Sequence, residues 1–343
     1  MNVPTFPLIE VAGSAYELGF QHGAQAAELV ERYLRWIERL AGQPRDVLGW
    51  KARAFLPSLE ALSPAFVAEV RGLAAGAGIS FEEALLCQVR SEAARVQAEG
   101  CTAFGLTGAA TADGQPLAGQ NQDLEPEFAD VAILLRVKPN DGRPRALMFT
   151  FAGQLGYAGM NQAGLALFNN ALFDYEWRLG LPRQPLKRLL LEQSSVKQCV
   201  DLLEQHRPCS AANVLVCDRQ GRMADIEIRP EGAALFEDDH PDYRLHTNHY
   251  LTGQFAGYET GSVPDSYLRL ARLRTLIKEN WGRITVDTLK TVLADHAGDP
   301  AGICRHGAAG WHSISGYIAE PAQGLFHVRR GHGCLGIWQT YEV

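Results

Sequence analysis

The chain has 343 residues, 46% hydrophobic and 21% charged, enough to bury one large or two ordinary cores; a disordered tail or an extended coil is excluded. Its net charge of −7 comes from interspersed signs with no long block of Lys and Arg, so neither nucleic acid nor another polyanion is an expected partner. Seven cysteines without a Cys-x-x-Cys spacing, an N-terminus without a basic-then-apolar leader and the lack of an 18-residue apolar run predict reduced thiols, a cytoplasmic location and no membrane span.

Helical spacing dominates the first hundred residues. Ser14 with Glu17, ahead of "AYELGFQHGAQAAELVERYLRWIERL", and Ser80 with Glu83, ahead of a helix running to Gln97, form capping-box patterns. After Cys101 the chain changes to short extended runs punctuated by Asp113-Gly114 and Asp141-Gly142: "CTAFGLTG", "PLAGQNQD", "VAILLRVKP", "ALMFTFAG" and "GLALFNNAL". An amphipathic helical stretch follows from "PLKRLLLEQ" to "CVDLLEQH", then a hairpin around Gln220-Gly221, two helices in "SYLRLARLRTLIKEN" and "TVDTLKTVLADHA", and a closing hairpin from "SISGYIAEP" to "GLFHVRR". This order predicts an α+β fold with sheets sandwiched between helical layers. No tandem repeat or flexible linker divides it.

The common signatures of serine hydrolases, P-loop nucleotidases and zincins are missing. "GLAAGAGIS" lacks the glycine spacing of a dinucleotide loop and lies in a helical region. His246 and His249 in "HTNHY", with Cys304 and His306 in "CRH", are residue types that bind zinc, and a zinc-dependent amidase is one alternative reading. Their separation fits no common zinc pattern, so hydrogen-bonded histidines and no metal are the expectation.

Cys101 stands at the seam between the helical and extended regions, in "AEGCTAFG". A lone cysteine is ordinarily a small buried hydrophobe. Gly100 before it lacks a Cβ, which predicts unusual backbone angles and access of the thiol to the Gly100 carbonyl, the geometry of an N-to-S acyl shift. Cleavage there would leave Cys101 with a thiol and an α-amine of pKa about 7.7 to 8.0, a nucleophile carrying its own base.

"GCTAFG", "GQNQD", "GMNQAGLALFNNAL", "HTNHYL", "SYLRLARL" and "GDPAGICRH" occur in an order that resembles the isopenicillin N acyltransferase (acyl-CoA:6-aminopenicillanic acid acyltransferase) family of N-terminal nucleophile hydrolases. The resemblance implies a four-layer αββα sandwich made as a zymogen. That precursor cuts itself between Gly100 and Cys101 into a helical α segment, 1–100, and a catalytic β segment, 101–343, which stay associated in one domain. It implies an amide hydrolase or N-acyltransferase that forms a thioester on Cys101 and passes the acyl group to water or an amine. No cofactor is implied, although coenzyme A thioesters serve some members as acyl donors.

Carried over by motif, Asp123 would orient the nucleophile and its amine, Asn248 would stabilise the oxyanion, and Arg305 would pair with Asp123. Thr102 would assist processing with Gly100 and Cys101. Asn121, Asn169, Asn170 and His249 are candidates for the substrate pocket. The ordinary alternatives are an Asx turn at Asp123, a left-handed turn at Asn248, a surface arginine at 305 and a turn at "FNN". Relative to the family pattern, four extra residues lie between Cys101 and Asp123, and the residues before Arg305 differ. With its acidic balance the chain is read as favouring hydrolysis of a small-molecule amide or acyl substrate. A non-catalytic protein retaining the fold is the remaining alternative.

Overall fold

The computed structural model describes residues 5–94, 100–174, 176–260, 264–307, 310–335 and 337–343. Both capping boxes form: Ser14 and Ser80 each accept from the backbone N–H three residues on, while Glu17 and Glu83 each accept from the cap N–H at 2.7 Å. These caps open α1 (Ala15–Ala41) and α5 (Phe81–Gln88); α2 (Arg45–Ala52), α3 (Leu56–Leu62) and α4 (Pro64–Ala77) lie between, and α6 (Arg90–Ala94) follows. The predicted continuation of that helix to Gln97 lies outside the described residues. In "GLAAGAGIS", Gly72 and Gly76 serve helix packing and Gly78 is the left-handed C-cap of α4. A Cβ on Gly72 would lie 2.0 Å from the Tyr16 carbonyl oxygen and one on Gly19 only 1.8 Å from that of Glu69, so α1 and α4 touch backbone to backbone.

One strand stands in the region where helical spacing dominates. Leu8–Gly13, β1, alternates exposed and buried residues and pairs in parallel with β4 (Ala132–Pro139), whose partner on the other side is β5 (Ala146–Phe151). The sheet continues through β6 (Ala158–Asn161), β7 (Ala166–Ala171), β8 (Ala212–Cys217), β9 (Met223–Arg229) and β10 (Gly232–Phe236), eight strands in the order β1-β4-β5-β6-β7-β8-β9-β10. β2 (Gly100–Leu106), β3 (Leu117–Leu124), β11 (Tyr243–His246), β12 (His312–Glu320), β13 (Leu325–Arg330) and β14 (Trp338–Glu342) form a second sheet ordered β11-β2-β3-β12-β13-β14. The hairpins predicted around Gln220-Gly221 and at the C-terminus are β8–β9 and β12–β13.

The sheets stack face to face, with α1, α7 (Arg183–Leu191) and α8 (Val196–Gln205) outside the first and α9 (Pro264–Glu279) and α10 (Val286–Val292) outside the second. This is the predicted four-layer αββα sandwich. Apolar side chains from both sheets and α1 form the main core; Phe104, Leu106, Leu117 and Ile318 turn the other way, onto α9 and α10. Directly opposed residues of an antiparallel pair share a face and successive ones alternate. The register Cys101↔Gln122 therefore sends the thiol between the sheets, while Thr102↔Asn121 points towards the helices.

Candidate active site

The site gathers where β2 begins. β11 runs beside β2 only as far as the pair His246↔Ala103. Had the ladder continued, Asn248 would lie opposite Cys101; the chain bends instead, and the Asn248 side chain takes the place of the missing strand. Its Oδ1 accepts from the Cys101 main-chain N–H at 2.8 Å and from Arg269 Nη2 at 2.9 Å. Its Nδ2 donates to the Ala171 carbonyl at 3.0 Å. Two donors on one end and a carbonyl on the other fix which way the amide faces.

Arg269, on the buried side of α9, joins these groups. Nη1 donates to the Cys101 carbonyl at 2.6 Å and to Thr102 Oγ1 at 3.0 Å, while Nε and Nη2 donate to Asp265 Oδ2 at 3.2 and 3.0 Å. Asp265, one turn earlier on α9, also accepts from Arg305 Nη1 at 2.9 Å. A buried guanidinium is sustained by such a partner and by the fit of its planar fork to several acceptors. Both main-chain polar groups of Cys101 are thus held by side chains.

Asp123 lies across β2 from Gly100. Its Oδ1 accepts from Ser313 Oγ at 2.6 Å, and Oδ2 has no hydrogen-bond partner among the described residues. Burial raises the carboxyl's pKa, against the opposing pull of Arg269 and Arg305. Cys101, Asp123 and Asn248 are each 1% exposed or less, so the uncut chain encloses its candidate nucleophile.

One expectation is corrected. Arg305 forms its ion pair with Asp265 rather than with Asp123, whose Oδ1 accepts from Ser313. Arg305 and Ser313 instead share two bonds, Arg305 N–H to Ser313 Oγ at 2.9 Å and Ser313 N–H to the Arg305 carbonyl at 2.8 Å. Gly100 is the first residue of β2 and pairs with Asp123. Space at this position is tight. A Cβ would meet Asp123 Cβ at 3.1 Å, the Trp311 ring at 3.2 Å and Arg305 Nη1 at 3.3 Å.

The comparisons with known proteins agree with this architecture. Residues 110–314 match the family model described as acyl-coenzyme A:6-aminopenicillanic acid acyl-transferase. The chain belongs to this acyltransferase family. The 40 kDa form of acyl-coenzyme A:6-aminopenicillanic-acid acyltransferase from Emericella nidulans is 26% identical over 302 residues, 85% of this chain and 83% of that one. An uncharacterised protein of Archaeoglobus fulgidus is 24% identical over 351 residues, 83% of this chain and 57% of its own length. In fold, the crystal structure of a point mutant of the conjugated bile acid hydrolase from Clostridium perfringens superposes with a TM-score of 0.51 at 14% identity, over 71% of this chain and 92% of that one.

In this family member the matched span contains Asp123, Asn248, Arg269 and Arg305 and starts after Cys101. Reading the sequence passed over Arg269, Asp265, Ser266 and Ser313. The available signal was the four-residue spacing of Asp265 and Arg269 in "PDSYLRLARL", a pattern that on most helices marks a solvated pair.

The remaining candidates are distributed around the site. Asn121 is a brace on the helix-facing side: Nδ2 donates to the carbonyls of Leu293 and Ile303 at 2.8 and 2.9 Å, and Oδ1 accepts from Arg329 at 2.9 Å. Asn169 Oδ1 accepts from Lys187 at 2.5 Å, while its main chain is clipped on both sides by the Gln120 amide. Asn170 donates to the His246 carbonyl at 3.2 Å. His249 Nδ1 lies 2.7 Å from Ser266 Oγ, which accepts from the Asn248 N–H at 2.7 Å, so the histidine supports the turn that presents Asn248.

The four residues considered for a zinc-dependent amidase do not converge. His246 bonds Glu227 at 3.1 Å and His249 bonds Ser266, whereas Cys304 and His306 lie in another cluster, with His296 and Cys334. No helix among the described residues is long and apolar enough to cross a membrane.

The His246 environment has a consequence for stability. Burial alone would lower its pKa, but Asp225 and Glu227 outweigh that and raise it to about 9. Below the unfolded value of about 6.5 the stabilisation is complete; as pH rises through 9 the folded state loses its bound proton and the advantage disappears. Urea denaturation should therefore show wild-type stability falling between pH 6.5 and 9 by up to about 3 kcal/mol. The His246→Gln variant, less stable at pH 6.5, should be flat over the same window. A wild-type profile as flat as the variant's would remove this assignment.

Proposed function

We propose that the chain is a zymogen that cuts itself between Gly100 and Cys101 and then works as a cysteine N-terminal nucleophile enzyme, an amide hydrolase or N-acyltransferase. One observation carries the reading: the Cys101 main-chain nitrogen, the future α-amine, is held at 2.8 Å by the Asn248 side chain where a strand partner would otherwise stand. A nitrogen that must leave the backbone and act as a base is better held by side chains than by a ladder that depends on it.

In processing, the Cys101 sulfur adds to the Gly100 carbonyl carbon, the Gly100–Cys101 C–N bond breaks, and the thiol proton ends on the released nitrogen. Water then hydrolyses the thioester, leaving a Gly100 carboxylate and restoring the thiol. Thr102, bound to Arg269, steadies the residue after the cut. In turnover the neutral amine takes the thiol proton and the thiolate attacks an acyl carbonyl. Nδ2 of Asn248 has a second hydrogen beyond the one given to Ala171, a neutral donor for the oxyanion. The leaving amine, or thiol, receives the proton from the α-amine, and water or a second amine resolves the acyl enzyme by the same path in reverse.

Asp123 Oδ2 would accept a hydrogen bond from the new amine, while the Arg269 and Arg305 guanidiniums favour the thiolate. The Emericella relative's name supports a coenzyme A thioester as one donor class and an amine as acceptor; the donor would be a substrate, not a resident cofactor. The partners are then a small acyl substrate and the protein's own 1–100 segment.

Intact-mass spectrometry of freshly purified protein is the direct test. Two associated segments, the larger beginning at Cys101 and gaining one acyl mass on acid quenching with an acyl-coenzyme A thioester or an N-acyl amide, are expected. A single uncut species with full turnover would overturn the reading.

A further inference from the structure

Away from Cys101, three separate parts of the chain bring metal-binding side chains to one point. His296 follows α10, Cys304 and His306 belong to the loop before β12, and Cys334 sits in a short turn after β13. The four ligand atoms, two sulfurs and two ring nitrogens, all lie within 4.8 Å of one another. His296 Nε2 is 2.7 Å from His306 Nε2, and Cys334 Sγ is 3.6 Å from the same nitrogen. Around a tetrahedral zinc ion, with Zn–N of about 2.0 Å and Zn–S of about 2.3 Å, such atoms stand about 3.3 Å (N to N), about 3.6 Å (N to S) and about 3.8 Å (S to S) apart. The nitrogen–sulfur contact already matches; the two nitrogens would part by about 0.6 Å, and the widest pair, within 4.8 Å, would draw in by up to about 1 Å.

Four residues with two soft and two borderline donors are the composition of a closed structural zinc site, with no position left for substrate. Two thiolates balance a dication, so the filled site is neutral in its partly buried setting. The His332 ring lies 4.8 Å from that of His306, beside the cluster.

We infer that His296, Cys304, His306 and Cys334 form a structural Cys2His2 site for a zinc-type divalent cation. The site pins the turn after β13 to the loop that carries Arg305. Arg305 lies between two of the ligands in sequence, and its other ties run to Ser313 and Asp265. Asn121 holds the carbonyls of Leu293 and Ile303, close to the ligands at either end of the same loop. The metal thus makes Arg305 a residue on a braced loop. This role for the brace rests on the proposed function, whereas metal binding itself does not.

The test is metal analysis of the chain without a histidine tag, run in parallel on the uncut Cys101→Ala variant so that the result is independent of processing. About one zinc per chain is expected in both, falling at least about fivefold in Cys334→Ser and in His296→Gln. Replacing zinc with cobalt(II) in the wild type should give tetrahedral d–d bands with thiolate charge transfer, a readout that survives if a variant fails to fold. Stripping the ion with a chelator should lower the melting temperature. Less than about one tenth of an ion per chain with no cobalt spectrum would overturn the inference. So would metal retained undiminished in the two variants, or a Cys304–Cys334 disulfide in metal-free protein as isolated.

Discussion

Cys101→Ala should stay a single 343-residue chain and lose at least about 10³-fold in turnover. Alanine removes both the atom that attacks the Gly100 carbonyl and the one that would carry the acyl group, so processing and catalysis fail together. The fold should survive, because Cys101 is a small strand residue and its main-chain bonds to Asn248 and Arg269 do not involve the sulfur. Gly100→Ala is the informative companion. Its Cβ would crowd Asp123, Trp311 and Arg305 at 3.1 to 3.3 Å, and displacing such neighbours typically costs about 1–3 kcal/mol. Cleavage should slow by roughly 10- to 100-fold, the rate equivalent of that cost, while protein already cut retains near-normal turnover. Time courses of intact mass separate the two. Complete cleavage of Cys101→Ala would refute the thiol as processing nucleophile.

The second large effect belongs to Arg269. Removing it strips a donor from the Cys101 carbonyl, from Thr102 and from Asn248, and leaves Asp265 with Arg305 alone. Because the guanidinium is almost fully buried, Arg269→Ala should cost on the order of 3 kcal/mol of stability, read from the urea midpoint. Arg269→Lys keeps the charge but has one nitrogen for a set of acceptors spread around a planar fork. It should fold and cut itself about 10²-fold more slowly, because Asn248 and the Cys101 carbonyl are no longer fixed against each other. A lysine variant that is less stable yet processes at the wild-type rate once folded would reduce Arg269 to a structural brace.

Both effects bear on the enclosure of Cys101. With the thiol shut in, the uncut chain lacks an accessible nucleophile as well as a free amine. Cutting at Gly100 would address both at once. It would release the amine towards Asn248 and Asp123.

Local chemistry determined much of this protein. The capping boxes at Ser14 and Ser80, the short extended runs after Cys101 and the turn dipeptides between them each depend on neighbours a few residues away, and these elements formed. The spaced motifs likewise carried the family resemblance. β1 escapes such a reading because its pairing partner is more than a hundred residues distant, and six alternating residues before a strong helix carry little signal of their own. Only the tertiary structure decided who partners whom at the site. Asp265 and Arg269 look like a solvated helix pair until α9 packs over the start of β2, and only that burial turns the arginine into the clamp on Cys101. Arg305 pairs with Asp265 on α9, while Asp123 accepts from Ser313. Cys304 and His306 were visible as ligand types, but their companions His296 and Cys334 were settled by where α10 ends and β13 turns. A charge, a thiol or a ring nitrogen has a chemistry in the sequence; its partner is a distance, and distances belong to the fold.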